Sequence, residues 1–467
     1  MRDMTVKKLH ETVGGRLRLD MLAPPRGEDA PIGRIVTDSR EVRAGDVFWG
    51  LAGTRLDGAG FAAEAYSRGA TGAVVGKKYV QPWPGCWSLE VEDAQQALNE
   101  LASWNRQRLV GRVVAVTGSV GKTTTRQMIR AVLGEQLCGS ASPKNFNNHV
   151  GLPLSMLSID PADDFAVLEL AANAPGEIGR LAALCRPHVG VLTRVGDAHL
   201  GGFGLLAAVA EAKAELIGAL PDDGWAVAAG DDEMLRKLSH SWRPKVVWFG
   251  RSLDNDVIAT HVESRQGRLS FCIGNVPMSV GVWGRHHLCD ALAAVAVGRI
   301  FGLSDTQIAA GLDNFQPPPM RCQITNAGGA TIIDDTYNAS PMAMRAAFEL
   351  LRDFDAPGRR IVVVGDMREL GDAAGALHRK LGDQVVTLCG ADLLVACGDH
   401  APDVVAGARA AGMPSARTIA CRRPEDFLAR RECSFEPGDV VLIKGSRALA
   451  MERLVKAFQA REPQCVT

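Results

Sequence analysis

Apolar residues fall along the chain in short continuous runs, each closed by glycine or polar residues and followed by a stretch with helical spacing. Near the start, IGRIVTDSREV, GDVFWGLAG and FAAEAYSRGATGAVVG follow this rule, and the turn residues after each run predict a small α/β module. The helix predicted over AQQALNELASWNRQRL leads into GRVVAVTG, where the pattern changes to an uninterrupted apolar strand. A domain boundary is therefore expected near Val110. Beyond it FAVLELAAN, HVGVLTRVG, GWAVAAGDD and KVVWFG read as buried strands with helical stretches between them, the alternation of a mostly parallel sheet. HLCDALAAVAVGRIFG adds a helix before DNFQPPPMR. Pro317, Pro318 and Pro319 cannot continue a helix and favour an extended link, which sets a second boundary. After it ATIIDDTYN, RIVVVGDM, DLLVACGD and DVVLIKGS each end an apolar run in polar residues or glycine, as in another open, Rossmann-like parallel sheet. The expected fold is α/β in three domains, residues 1–109, 110–318 and 319–467.

Composition narrows the function more than the fold. A chain of 467 residues suits about three domains. With 46% hydrophobic residues, it carries enough apolar side chains to fold throughout. A formal net charge of −1 with no long run of one sign removes the electrostatic footprint of a general nucleic-acid binder. Eleven scattered cysteines include no C-x-x-C pair and no zinc-type spacing with histidine, which fits a reducing compartment. No secretory leader and no run of about 18 uncharged apolar residues is evident, so a cytoplasmic protein without membrane association is expected.

The chemistry starts at VVAVTGSVGKTTTRQMIRAVLG. Strand RVVAVT, loop GSVGK and helix TTTRQMIRAVLGEQL stand in the order a phosphate cradle needs. A buried strand aims the turn, glycines let backbone N–H groups approach the anion, and the helix N-terminus adds its positive end. The candidate nucleotide contacts are Thr117, Gly118, Ser119, Val120, Gly121, Lys122, Thr123 and Thr124, with Lys122 reaching the terminal phosphates and Thr123 holding Mg²⁺. Val116 occupies the first glycine of the full phosphate-loop pattern. The plainer alternative is an ordinary strand-to-helix turn with Lys122 solvated and Thr123 as an N-cap. Glu169, at the end of FAVLELAAN, is placed like an acidic metal ligand, although a lone glutamate also reads as a solvated group. His199 alone reads more readily as structural, and Lys213, between Glu211 and Glu215, as a helix-surface lysine.

Together TGSVGKTT, NFNNHVGLPLSML, LELAANAPGEIG, GDAHLGGFG and EAKAEL, in this order, resemble the central domain of the ATP-dependent Mur ligases. IIDDTYNASPMAMRAAFELL, VVVGDMRELG and VLIKGSRALAMERLV resemble the C-terminal part of the family, and TDSREVRAGDVFWGLAGTRLDGAGF its uridine-nucleotide module. The resemblance implies a UDP-sugar-peptide-binding domain at 1–109, an ATP-binding domain at 110–318 and a dipeptide-binding domain at 319–467. It implies a monomeric ligase that joins D-alanyl-D-alanine to UDP-N-acetylmuramoyl-tripeptide through an acyl phosphate, releasing ADP and phosphate, in peptidoglycan precursor synthesis. Lys122, His199 and Lys213 match catalytic positions. Thr123, Glu169, His199 and Lys213 match magnesium positions, with Lys213 carbamylated.

The resemblance further places Thr37, Ser39 and Arg40 at the uridine nucleotide, and Asn147 and Asn148 at the muramoyl substrate. Arg321, Asp335, Tyr337 and Asn338 fall toward ATP, and Lys444, Ser446 and Arg447 toward the dipeptide carboxylate. Without it, Ser446 reads equally as the N-cap of a helix over RALAMERLVKAF. His287 and Asp290 stand where the family has amides near adenine, and Ala229 where it tends to have asparagine. A related ligase adding a single amino acid to a muramoyl peptide, or glutamate to a folate, is the nearest rival, disfavoured by D-D-T-Y-N-A-S-P and K-G-S-R. A nucleotide-gated switch is the rival from another class.

Overall fold

The computed structural model describes residues 3–20, 27–77, 80–196, 205–430 and 434–460. Its strands form three sheets of five, nine and six strands, so the chain is mixed α/β. Two compact units divide it, one of Met1–Ala115, Leu137–Leu170 and Arg180–His188, the other of Val116–Gln136, Ala171–Gly179 and Val189–Thr467.

The first unit opens with α1 (Val6–Val13), which Thr5 caps by accepting the Lys8 N–H. Strands β1 (Arg16–Leu19), β2 (Ile35–Val36), β3 (Val47–Gly50), β4 (Gly72–Val75) and β5 (Trp87–Glu90) pair in the order β1-β5-β4-β3-β2. All neighbours are parallel except β1, which closes the β5 edge antiparallel. The runs VFWG and GAVV are buried throughout, as strands covered on both faces must be. Helix α2 (Ala62–Ser67) covers this sheet, and α3 (Ala94–Arg108) starts at Asp93, whose carboxylate accepts the N–H groups of Gln95 and Gln96. Strand β6 (Arg112–Thr117) begins in this unit, which also holds β7 (Gly139–Ala141), α5 (Gly151–Leu157) and β8 (Phe165–Glu169). β7 and β8 are parallel.

The second unit contains α4 (Lys122–Gly134), β9 (Val189–Leu192), α7 (Leu206–Gly218), β10 (Trp225–Ala229), α8 (Glu233–Leu238), β11 (Lys245–Gly250) and β12 (Val257–Arg265). Helix α6 (Glu177–Cys185) is divided between the units. Strands β9 to β12 are parallel neighbours. The mostly parallel sheet expected from sequence then continues in two antiparallel strands, β13 (Arg268–Ile273) and β14 (Val276–Val280). The largely exposed C-terminal half of β12 and the turns at Gly267 and Gly274 allow this hairpin extension, because an antiparallel sheet tolerates a wet face. Helix α9 (Leu288–Ile300) is buried over ten residues and packs on α4, as does α10 (Asp305–Asp313).

After the prolines, β15 (Gln323–Ala327), β16 (Ala330–Asp334), β17 (Arg360–Gly365), β18 (Leu393–Cys397), β19 (Thr418–Cys421) and β20 (Val440–Lys444) order as β15-β16-β20-β17-β18-β19. All pairs are parallel except β15–β16. Val362, Val364, Leu394 and Leu442 face one core, while Ile361, Val363, Val395 and Val441 face the other. Both faces are therefore dry, which accounts for the unbroken apolar runs in sequence. Helices α11 (Pro341–Asp353), α12 (Ala374–Thr387) and α13 (Ala401–Ala410) pack into the first core, and α15 (Glu452–Ala460) into the second, beside the short α14 (Pro424–Leu428). The helix expected over RALAMERLVKAF is interrupted. Arg447–Leu449 makes a single 3₁₀ turn, Ala450 takes a left-handed conformation at φ 50°, and regular helix begins only at Glu452. Among the described residues no helix is long and apolar enough to cross a membrane.

Candidate active site

The loop after β6 is shaped by two glycines. Gly118 has φ 149°, and a Cβ there would stand 2.0 Å from Thr193 Oγ1. Gly121, at φ 85°, caps α4 in the left-handed region that side chains resist. The loop is fastened to the segment after β9. The Ser119 N–H donates to the Arg194 carbonyl at 2.7 Å, and Thr193 Oγ1 donates to the Val120 carbonyl at 2.6 Å. Ser119 Oγ donates to the Gly196 carbonyl at 3.1 Å. Lys122 folds back so that Nζ donates to the Gly118 carbonyl at 2.7 Å, holding its charge over the loop. Thr117 Oγ1 is buried without a hydrogen-bond partner among the described residues, a polar atom that an incoming ligand can satisfy.

Thr123 is buried, and its Oγ1 accepts from Arg321 Nη2 at 3.1 Å. Arg321 also lies over the Tyr337 ring at 4.3 Å, so the residue after the prolines is held by a hydroxyl and an aromatic face. Thr124, His287, Pro317, Pro318 and Arg321 line a cavity of about 330 Å³. Beneath it the Thr125 hydroxyl donates to Asp290 Oδ1 at 2.8 Å, and His287 Nδ1 meets Asp290 Oδ2 at 2.9 Å. His287 and Asp290 thus satisfy each other. Neither this pairing nor the Thr125 bond was foreseen from sequence. Ala229 ends β10, buried.

Lys213 corrects the surface reading suggested by its acidic flanks. It is 1% exposed on the face of α7 formed with Val209, Leu216 and Ile217. Nζ donates to the Ala172 carbonyl at 3.3 Å. Burial, followed by the nearby Lys122 charge, pulls its amine down to about 7 against the opposing pull of Glu177 and Glu215. The i, i+4, i+7 spacing of Val209, Lys213 and Leu216 was the signal in the sequence that could have shown this. His199 lies outside the described residues.

In the first unit Glu169 is 1% exposed. One carboxylate oxygen accepts from Asn147 Nδ2 at 2.8 Å, and its N–H donates to Ser142 Oγ at 3.2 Å. Asn148 spends its side-chain oxygen on the N–H groups of Val150 and Gly151 at the start of α5. Ser39 is buried and donates to Glu64, while exposed Arg40 pairs with Asp38 through both Nε and Nη2. That guanidinium holds the Asp38 carboxyl down at about 2.

Near the end of the chain Lys444 is buried, with Nζ 2.6 Å from Asp335 Oδ2 and 2.9 Å from the Asn338 carbonyl. Two residues expected on different ligands are thus an ion pair in this structure. Ser446 precedes the 3₁₀ turn but makes no capping bond. Its buried hydroxyl donates to the Asp366 carbonyl at 2.6 Å and accepts the Arg368 N–H at 3.0 Å. Arg447 is exposed and pairs with Glu452 at 2.9 Å.

The family models for the Mur ligase middle domain and for the Mur ligase glutamate ligase domain match residues 116–298 and 320–447. The chain is 33% identical to a UDP-N-acetylmuramoyl-tripeptide--D-alanyl-D-alanine ligase of Bacillus subtilis, across 97% of each chain. The chain belongs to the Mur ligase family. A crystal structure of MurF from Acinetobacter baumannii is similar at a TM-score of 0.85 and 29% identity, covering 98% of this chain and 99% of that one. A Thermotoga maritima MurF ligase solved in complex with ADP is similar at a TM-score of 0.77 and 32% identity, covering 91% and 97%. The strand–loop–helix that carries Thr117–Thr124 lies at the start of the matched middle domain.

Proposed function

We propose that the protein is an ATP-dependent ligase that joins D-alanyl-D-alanine to UDP-N-acetylmuramoyl-tripeptide, forming ADP and phosphate, in the making of peptidoglycan precursors. Full-length similarity to ligases of that name carries the reading. The geometry of the phosphate loop supports its ATP half.

A carboxylate is a poor electrophile, and ATP converts it into one. A carboxylate oxygen of the tripeptide attacks the γ-phosphorus, the bond to the bridging oxygen breaks, and ADP leaves. The free amine of the dipeptide then attacks the acyl carbon, and collapse of the tetrahedral species expels phosphate and leaves an amide. We assign the loop N–H groups of Gly118 and of Val120 to Thr124 to the phosphates, and Lys122 to the charge on the transferring group once Nζ releases the Gly118 carbonyl. Arg321, with Asp335 and Asn338, is assigned to the nucleotide. Ser39, Arg40, Asn147 and Asn148 are assigned to the UDP-sugar peptide, and Lys444, Ser446 and Arg447 to the dipeptide. The division of labour among residues 1–109, 110–318 and 319–467 is proposed on the same motif matches.

Magnesium fits the chemistry of the donors proposed for it. The Thr123 hydroxyl and the buried Glu169 carboxylate are hard oxygen ligands, and His199 is assigned with them by motif. When bound, Mg²⁺ neutralises charge on the phosphates. Lys213 joins this set as a carbamate. Its neutral amine attacks carbon dioxide, an N–C bond forms, one proton is released, and a cation becomes an oxygen ligand. An amine near 7 makes this accessible at neutral pH. A cytoplasmic monomer acting on small molecules completes the reading.

Incubating the chain with ATP, Mg²⁺, D-alanyl-D-alanine and UDP-muramoyl-tripeptides bearing either diaminopimelate or lysine, and reading product masses, tests it. A pentapeptide product with equimolar ADP is expected. ADP formation at full rate without the UDP-sugar peptide would instead identify a nucleotide switch.

A further inference from the structure

Beside the cavity that Thr124 lines is a cluster to which the proposed reaction assigns no chemical step. The donor atoms of His286, His287 and Cys322 all stand within 4.8 Å of one another. Cys322 Sγ is 4.0 Å from His286 Nε2, and the two imidazole centroids are 4.1 Å apart. We propose that His286, His287 and Cys322 form a binding site for a thiophilic divalent ion of the zinc class, separate from the magnesium ligands proposed above.

Two imidazoles and a thiolate are the ligand types that zinc selects, whereas magnesium prefers oxygen. Around a tetrahedral ion with bonds of about 2.0–2.3 Å, donor atoms sit roughly 3.3–3.6 Å apart, so a contraction of at most about 1.5 Å closes the cluster. A water fills the fourth position. His287 is already oriented, because Nδ1 is engaged by Asp290 at 2.9 Å and Asp290 is fixed in turn by Thr125 at 2.8 Å. With that proton on Nδ1, Nε2 presents its lone pair, the carboxylate–histidine arrangement that supports metal ligands. Cys322 sits at φ 48°, a conformation that a non-glycine residue adopts under constraint.

The surroundings suit a neutral His286. Burial keeps His286 well below its usual range, with further push from His287, Lys444 and Arg194, so it does not need to lose a proton to bind. Burial also raises the Cys322 thiol, and the ion must therefore displace that proton. The positive charges of Lys444, Arg194 and Arg321 oppose an incoming cation, and Asp335 and Asp290 offset them in part. Access exists from two sides. His286 lines a cavity of about 480 Å³, while His287 and Cys322 line the cavity of about 330 Å³ that also holds Thr124.

The test is a titration of the full, metal-free chain with Co²⁺ alone, followed by Zn²⁺. Expected is a saturable thiolate-to-cobalt band at one equivalent, with the strong visible absorption of a tetrahedral site, bleached by Zn²⁺. Cys322→Ser should abolish the band. His287→Asn, which keeps the thiol, should weaken Co²⁺ binding at least tenfold, and Cys138→Ser, at an exposed cysteine, should change nothing. No saturable band in the wild-type chain overturns the proposal, whatever the variants do. So does a band that survives Cys322→Ser or is unaffected by His287→Asn. None of these readouts involves ligation, so failure here leaves the proposed activity standing.

Discussion

Lys213 owes its chemistry to where α7 puts it. The folded amine, near 7, lies well below the unfolded value of about 10.4, so the unfolded chain binds more protons between those limits. Lys213 is therefore least costly to bury above the unfolded value, and the cost grows as pH falls and is complete below the folded value. The same sign governs its reactivity, since only the neutral amine takes up carbon dioxide. Raising pH from about 6 to about 8 should increase the carbamate signal from isotope-labelled bicarbonate in NMR, and a flat response would count against the assignment. Lys213→Ala should lower ligation on the order of a hundredfold or more, with no rescue by bicarbonate. Gly121→Ala probes the loop. The added Cβ would lie 2.4 Å from Asp290 Oδ1 at φ 85°, so Asp290 must yield its bonds to Thr125 and His287. Loss of measurable ATP binding in calorimetry and about 1–3 kcal/mol of destabilisation in urea unfolding are expected. Of these particulars the glycine was plain in the sequence, because G-K-T-T sat between strand and helix. The buried lysine was masked by Glu211, which is exposed, and by Glu215, whose carboxylate accepts the N–H groups of Gly176 and Gly179.

At the scale of elements, α3 and the end of α6 are joined by one side chain. Arg106 Nε donates to the Cys185 carbonyl at 2.7 Å and Nη2 to the Arg186 carbonyl at 2.8 Å, satisfying acceptors that a helix terminus leaves open. Arg106→Ala should cost about 2–3 kcal/mol in urea unfolding. Arg106→Lys should recover little, because a single ammonium cannot reproduce the planar fork. If lysine restored full stability, the fork would not be the cause. The sequence shows α3 clearly, through its Asp93 cap and apolar stripe, yet nothing in it announces where Arg106 ends. The same limit applied to strands. Those buried on both faces, such as RIVVVG and VVLIK, were unmistakable, whereas β13 and β14 are six and five residues long, bury only alternate positions and were passed over. At RALAMERLVKAF the apolar spacing suited one helix, and local pattern carried no sign that Ala450 would turn left-handed.

For the molecule as a whole, three sheets were legible because each apolar run ends in its own turn chemistry and the three prolines interrupt helix. Which ligand belongs to which residue was legible only through motif resemblance, since pairs such as Lys444 with Asp335 form by tertiary placement over 109 positions of sequence. The proposed reaction makes a prediction at this scale that no single residue contains. If activation precedes capture, the chain given ATP, Mg²⁺ and UDP-muramoyl-tripeptide without dipeptide should hold a reactive acyl phosphate. Hydroxylamine, a small nucleophile, should then yield a hydroxamate of the tripeptide with one ADP for each product, both visible by mass. Adding D-alanyl-D-alanine should suppress the hydroxamate in proportion to the pentapeptide formed, because both nucleophiles draw on the same acyl carbon. A hydroxamate that persists undiminished at saturating dipeptide would separate the two steps. Absence of hydroxamate alongside normal ligation would mean that the carboxylate is activated only after the amine has arrived, and the order of events would have to be rewritten around the dipeptide.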